Sequence, residues 1–160
     1  MEEKKQMCTS RRVQKALNAL GFDLEVVEFP ASTRTAQEAA SAIGCQVGQI
    51  VKSLVFECQP GNYPLLIAAS GANRVNEAAI TSLLGCLIMH ATPEFVRETT
   101  GYAIGGVPPI GHSQSIRTLV DEDLLQYAQI WAAAGTPNSV FCLTPDQLIT
   151  ITNGKVCKIT

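Results

Sequence analysis

Two features of this 160-residue chain combine residue types and spacing that could do chemistry. The first is Lys52, set inside the apolar run Ile50-Val51-Lys52-Ser53-Leu54-Val55-Phe56. In a strand, period two puts Lys52 on one face with Ile50, Leu54, Phe56 and Cys58; Val51, Ser53, Val55 and Glu57 take the other. An ammonium in such company must reach water at a cleft, pair with a carboxylate, or guard an edge strand. At the floor of a pocket it would be weakly screened and suited to a phosphate or a developing oxyanion. The second feature is the loop from Thr100 to His112, which holds Gly101, Gly105, Gly106 and Gly111 with Pro108 and Pro109, four of the chain's 12 glycines and two of its 8 prolines. Glycine permits close approach to a ligand and proline fixes φ, so the loop could be a rigid one with exposed amides that grip a small anionic or carbonyl group. A plain connection between strands is the alternative. His112, at the loop's end, suits a general base, a substrate contact, or a solvated side chain.

Several other chemistries lack their residues. Ser70, Ser113 and Ser115 offer hydroxyls, but no G-x-S-x-G elbow surrounds them, and neither a P-loop nor a G-x-G-x-x-G fingerprint occurs. The six cysteines are scattered without a C-x-x-C pair and only two histidines could join them, so no metal or other cofactor is expected. Several cysteines fall in apolar runs, where the thiol behaves as a small hydrophobe. With 12 Lys+Arg against 14 Asp+Glu, the net charge of −2 argues against tight non-specific binding to DNA or RNA. The N-terminus is polar, no run approaches a membrane span, and a cytoplasmic location is the expectation.

The elements that must position Lys52 and the loop can be read from caps and periodicity. Ser10 is expected to cap a first helix with Val13, Ala16, Leu17 and Leu20 on its apolar stripe and Gly21 at its end. Alternation predicts a strand from Phe22 towards Pro30. Thr35-Ala36-Gln37-Glu38 reads as a capping box for a short helix ended by Gly44. Ile50–Cys58 and Leu65–Ala69 form a hairpin around Gln59-Pro60-Gly61-Asn62, and Asn76 caps a further helix. Leu87–His90 is a short strand, and Thr92-Pro93 opens the helix that Gly101 closes. An extended segment over 115–120 follows the loop, and Asp121 caps a short helix. A hairpin pairs 130–134 with 139–143, Thr144 caps another helix, and 156–159 is a final strand. Hairpins mixed irregularly with helices give an α+β class: one domain over 1–160 with a mixed, largely antiparallel sheet flanked by short helices.

Three segments occur in a recognisable order: Thr35–Ala40, Gln49–Phe56 with its lysine, and Gly101–His112 with its G-x-x-P-x-G loop at Gly106, Pro109 and Gly111. Together they resemble the YbaK-type aminoacyl-tRNA deacylases, the family of the editing domain inserted in bacterial prolyl-tRNA synthetase. The resemblance implies a barrel-like sheet and a free-standing enzyme that hydrolyses the ester of mischarged tRNA, here most naturally tRNA(Pro). It implies Lys52 as the key active-site residue, binding the terminal adenosine or phosphate and stabilising charge. It implies Gly101, Gly105, Gly106, Pro109, Gly111, His112 and Ser70 as substrate contacts, with amides of Gly105, Gly106 and Gly111 as carbonyl donors. An aminoacyl-tRNA synthetase is an implied partner. The hairpin carrying Ala133 and Val140 matches the segment that shapes the amino-acid pocket. Both positions are apolar here, where thiol-clearing members are expected to be polar, which points towards alanine, serine or 2-aminobutyrate. A non-catalytic module holding tRNA ends, nucleotides or a synthetase is the competing reading.

Overall fold

Cap residues decide most of the helix boundaries in the computed structural model, which describes residues 2–160, with side chains from Thr9 onward. Thr92 Oγ1 accepts from Phe95 N (3.1 Å) to start α4 (Pro93–Thr100), and Gly101 ends it at φ 82°. Asn76 does the same for α3 (Glu77–Leu84) through Ala79 N, and Thr144 and Gln147 form a reciprocal box on α5 (Pro145–Thr152). At α2 (Ala36–Ile43) only half of the expected box forms. Thr35 accepts from Glu38 N, but the Glu38 carboxylate accepts from Ser32 Oγ instead of returning to the cap.

The first helix differs from its expected start. It runs Glu2–Ala19, so Ser10 is buried mid-helix and caps nothing at the N-terminus. Charged residues of good helix propensity extend the helix beyond its apolar stripe. Val13 and Leu17 anchor it in the core. The strand expected from Phe22 begins only at Val26 (β1, Val26–Glu28), because pairing with β7 covers those three residues alone.

Eight strands form one mixed sheet in the order β1-β7-β6-β2-β3-β5-β8, with β4 also on β2. The central hairpin is β2 (Ile50–Gln59) with β3 (Tyr63–Ser70). β4 (Leu87–His90) and β6 (Ile130–Ala133) share the other edge of β2, and β7 (Ser139–Leu143) pairs β6 and β1. β5 (Arg117–Asp121) lies parallel to β3 and β8 (Lys155–Cys157) parallel to β5. The parallel pairings β2·β6, β3·β5 and β5·β8 make the sheet less antiparallel than hairpins alone suggest. The short helix expected after Asp121 forms as a 3-10 helix over Glu122–Gln126, with the Asp121 side chain accepting from Asp123 N as its cap.

Leu65 to Ala69 are wholly buried because both faces of β3 are covered. Leu66 and Ala68 face a cluster containing Val13, Leu17, Tyr102 and Phe141. Leu65, Ile67 and Ala69 face Phe56, Ile80 and Leu119. Leu65, Leu66 and Ile67 each contribute roughly 1.5–3 kcal/mol by leaving water. The thiols follow the same logic: burial raises the pKa of Cys45, Cys142 and Cys157, and burial with the nearby Cys86 pushes Cys58 up to about 11.

Candidate active site

The edge of β2 facing β6 and β4 is only partly paired. β6 covers it at Ile50 and Val51, and β4 takes over at Phe56. Residues 52–55 therefore have no strand on that side, and a pocket of about 560 Å³ opens there. Its wall includes Val51, Val55, Val96, Val107, Ala132 and Val140, and Thr33, Arg34 and Thr35 stand on its rim with Ile104 and Gly105. The volume suits a small-molecule-sized group. The lining is mostly apolar.

Lys52 borders this pocket, half-buried, as its strand position predicts. Its Nζ donates to the Asn73 carbonyl at 2.6 Å. Asn73 in turn donates through Nδ2 to Asp121 Oδ2 (2.9 Å) and Asp123 Oδ2 (2.6 Å). Asp121 is buried, and its carboxylate also accepts from Ser70 N (2.9 Å) and Asp123 N (3.0 Å). Burial lowers the Lys52 pKa, Arg74 lowers it further, and Asp121 works against both. An ammonium has three donors, so two of them remain after the Asn73 bond. The network fixes the ammonium while leaving donors for a ligand.

Ser53 adds a polar group that motif reasoning misses. It lines the pocket, and its Oγ is buried without a hydrogen-bond partner. The bond from Gly71 N to Ile50 O (2.7 Å) turns the even-numbered backbone groups of β2 towards β3. Strand alternation then turns the N–H and C=O of Ser53 into the unpaired edge. Alternation alone puts the Ser53 side chain on the face opposite Lys52, so it is the gap in strand pairing at 52–55 that brings Ser53 to the pocket. Arg34 is the other missed residue; it had no motif of its own.

The glycine-proline loop divides. Gly105 lies in the pocket lining at φ 95°. Gly101, Gly106, Pro109, Gly111, His112 and Ser70 are not in that lining. Gly101 is the αL cap of α4. Gly106 donates its amide to Ala103 O (3.2 Å), and a Cβ there would sit 3.0 Å from the backbone of Gly135 and Thr136, so close packing explains this glycine. Gly111 accepts at its carbonyl from Tyr102 Oη (3.0 Å), and Pro109 is buried beside it. Ser70 Oγ donates to Gly48 O (2.7 Å), holding the end of β3. His90, at the end of β4, also lines the pocket, and its Nε2 lies 3.1 Å from Glu77 Oε1.

His112 Nε2 lies 2.7 Å from Pro108 O, edge-on to Tyr102. Burial holds its pKa below the ordinary 6.5, partly offset by the Pro108 bond. The unfolded chain therefore takes the proton first. Stability associated with His112 is complete above about pH 6.5 and is lost as pH falls through the lowered folded value. Thermal melts at stepped pH are expected to show wild type losing stability below that point, and His112→Gln losing less over the same interval.

Ala133 and Val140 do line the pocket, where the resemblance put them. No helix among the described residues is long and apolar enough to cross a membrane. Comparison with known proteins identifies the family. The profile of the aminoacyl-tRNA editing domain matches residues 30–151. Bacillus subtilis YwhH, a protein without an assigned role, is 33% identical over 132 residues, 82% of this chain and 83% of YwhH. Enterococcus faecalis EbsC, named as a candidate Cys-tRNA(Pro)/Cys-tRNA(Cys) deacylase, is 30% identical over 139 residues, 79% of this chain and 77% of its own. A crystal structure described as a candidate trans-editing enzyme for prolyl-tRNA synthetase superposes with a TM-score of 0.88 at 52% identity, covering 95% of this chain and 96% of that one. A lysine at an apolar pocket, within this fold and with these relatives, places the chain in the YbaK-type, prolyl-tRNA-synthetase-associated family of aminoacyl-tRNA editing domains.

Proposed function

We propose that the protein is a trans-editing deacylase that hydrolyses the ester of tRNA(Pro) carrying a small wrong amino acid. The observation that carries this reading is the pocket itself: a lining that holds an anchored ammonium, an unpartnered hydroxyl and mostly apolar side chains. An aminoacyl ester is already activated, so positioning and charge stabilisation suffice without a protein nucleophile. Water adds to the ester carbonyl, and the negative charge that builds on its oxygen meets the free donors of Lys52. The carbon–oxygen bond to the ribose then breaks, the ribose oxygen takes a proton, and the free amino acid leaves. Ser53 contributes its hydroxyl or main-chain N–H to the orientation of the aminoacyl group.

Val140, Ala132 and Ala133 supply no polar partner for a thiol, so alanine and 2-aminobutyrate fit this wall better than cysteine. Apolar walls separate substrates differing by one methylene by only ~1–3 kcal/mol, so neighbouring sizes are expected to be cleaved at graded rates. A panel of tRNA(Pro) charged with alanine, 2-aminobutyrate, serine, cysteine and proline tests this. Alanine or 2-aminobutyrate should be released fastest and cysteine slowly. Cysteine as the fastest species would overturn the amino-acid assignment, and five intact esters would overturn the activity.

Ser53→Ala provides a separate check. Removing a buried hydroxyl that has no partner leaves nothing unsatisfied, so the melting temperature should hold or rise slightly. Deacylation kcat/KM should fall about 10-fold, the effect of one lost neutral hydrogen bond. Unchanged turnover would remove Ser53 from the site.

A further inference from the structure

We propose that Arg34 is the phosphodiester contact of this site, its guanidinium receiving the phosphate of the terminal nucleotide of the RNA. The assignment rests on the ester-hydrolysis reading for the identity of that RNA. It concerns a residue outside the lysine and the glycine-proline loop.

Arg34 stands on the rim of the same pocket that Lys52 borders. Its side chain lies directly on Gly105: a Cβ at Gly105 would fall 2.6 Å from Arg34 Nε and 2.8 Å from its Cγ. Gly105 is thus a seat for the arginine as well as a residue at positive φ. The backbone beneath is fixed on both sides. Thr33 donates from N (2.7 Å) and Oγ1 (3.2 Å) to Pro137 O, and Thr35 caps α2. The base of the side chain is thus held, and its stem and Nε rest on Gly105 at the pocket rim.

The charge of Arg34 has no internal use. Among the described residues Arg34 has no carboxylate within ion-pair distance, and its side chain makes no hydrogen bond to another of them. Lys52, by contrast, is engaged by Asn73 inside the cleft. An aminoacyl ester carries no carboxylate, so the first anion a bound substrate presents is the phosphodiester of its terminal nucleotide. The planar fork of arginine matches two phosphate oxygens, which a point-like ammonium cannot do. The pocket wall is mostly apolar, whereas a phosphate held at the exposed rim stays hydrated. Lys52 therefore serves the reacting carbonyl, and Arg34 holds the strand that delivers it.

The test compares an alanyl-charged RNA microhelix ending in CCA with alanyl-adenosine, which carries no phosphate. Wild type, Arg34→Gln and Arg34→Lys are assayed on both. On the microhelix, Arg34→Gln should raise KM roughly 10- to 100-fold with kcat within about twofold, as expected for a lost charged hydrogen-bond pair. The salt dependence of log KM should become shallower by about 0.7–1, the share of one phosphate contact. Arg34→Lys should recover part of the affinity. On alanyl-adenosine all three should match. Equal losses on both substrates, or an unchanged KM on the microhelix, would overturn the proposal. Binding of the uncharged microhelix separates the two claims. If wild type cleaves neither ester yet Arg34→Gln weakens this binding 10- to 100-fold, the hydrolase reading fails and the phosphate contact stands. If wild type cleaves both and the binding is unchanged by Arg34→Gln, the contact fails alone.

Discussion

Lys52→Ala is expected to lower kcat for deacylation by roughly 10²–10³-fold, the usual effect of removing one donor to a developing oxyanion. Substrate binding should weaken far less, because the same donors meet a neutral carbonyl in the ground state and an anion in the transition state. The fold should survive. Lys52 is half-buried, and its loss leaves the Asn73 carbonyl short of one donor while Asn73 keeps its bonds to Asp121 and Asp123. Far-UV circular dichroism and a melting curve beside single-turnover kinetics check all three statements. A variant that keeps wild-type kcat would remove the lysine from the chemistry. The lowered Lys52 pKa also sets a direction with pH: the ammonium is lost as pH rises through a value below the ordinary 10.5, and enzymatic rate above background should fall there.

Asp121→Ala should have the largest effect on stability among the polar side chains of the site, about 3 kcal/mol. The carboxylate accepts from Ser70 N, Asn73 Nδ2 and Asp123 N from a wholly buried position. Truncation leaves the Ser70 amide buried without its acceptor, and hydrogen bonds to charged groups are worth ~1.5–3 kcal/mol each. It also frees Asn73, whose carbonyl holds Lys52, so kcat should drop in the protein that remains folded. Urea titration gives the first number and kinetics below the transition gives the second. Loss of stability with wild-type kcat would show that Lys52 is placed by something other than this relay.

The parts of this design legible in the sequence are those encoded locally. Thr92, Asn76 and Thr144 announce their helices because a cap is a contact of three residues' reach. Lys52 announces itself because a charge in an apolar strand requires a cleft or a partner, and it has both. Ser10 misled because a serine suited to a cap can also sit mid-helix when favourable residues precede it. The loop's glycines are hard to read for a different reason. A glycine signals close approach but not what approaches: Gly105 meets the Arg34 side chain, whereas Gly106 meets the backbone of Gly135 and Thr136. Arg34, Ser53 and the gap in the β2 edge depend on where β4 and β6 begin and end, which pairing decides over long sequence separation.

The most direct measurement is multiple-turnover release of free amino acid from alanyl-tRNA(Pro), with prolyl-tRNA(Pro) in parallel and the protein at catalytic concentration. The pocket chemistry predicts many turnovers on the alanyl ester and persistence of the prolyl ester at its spontaneous rate. An alanyl ester that survives as long as the prolyl one, under conditions where the RNA is bound, would contradict the central claim and leave a binding module in its place.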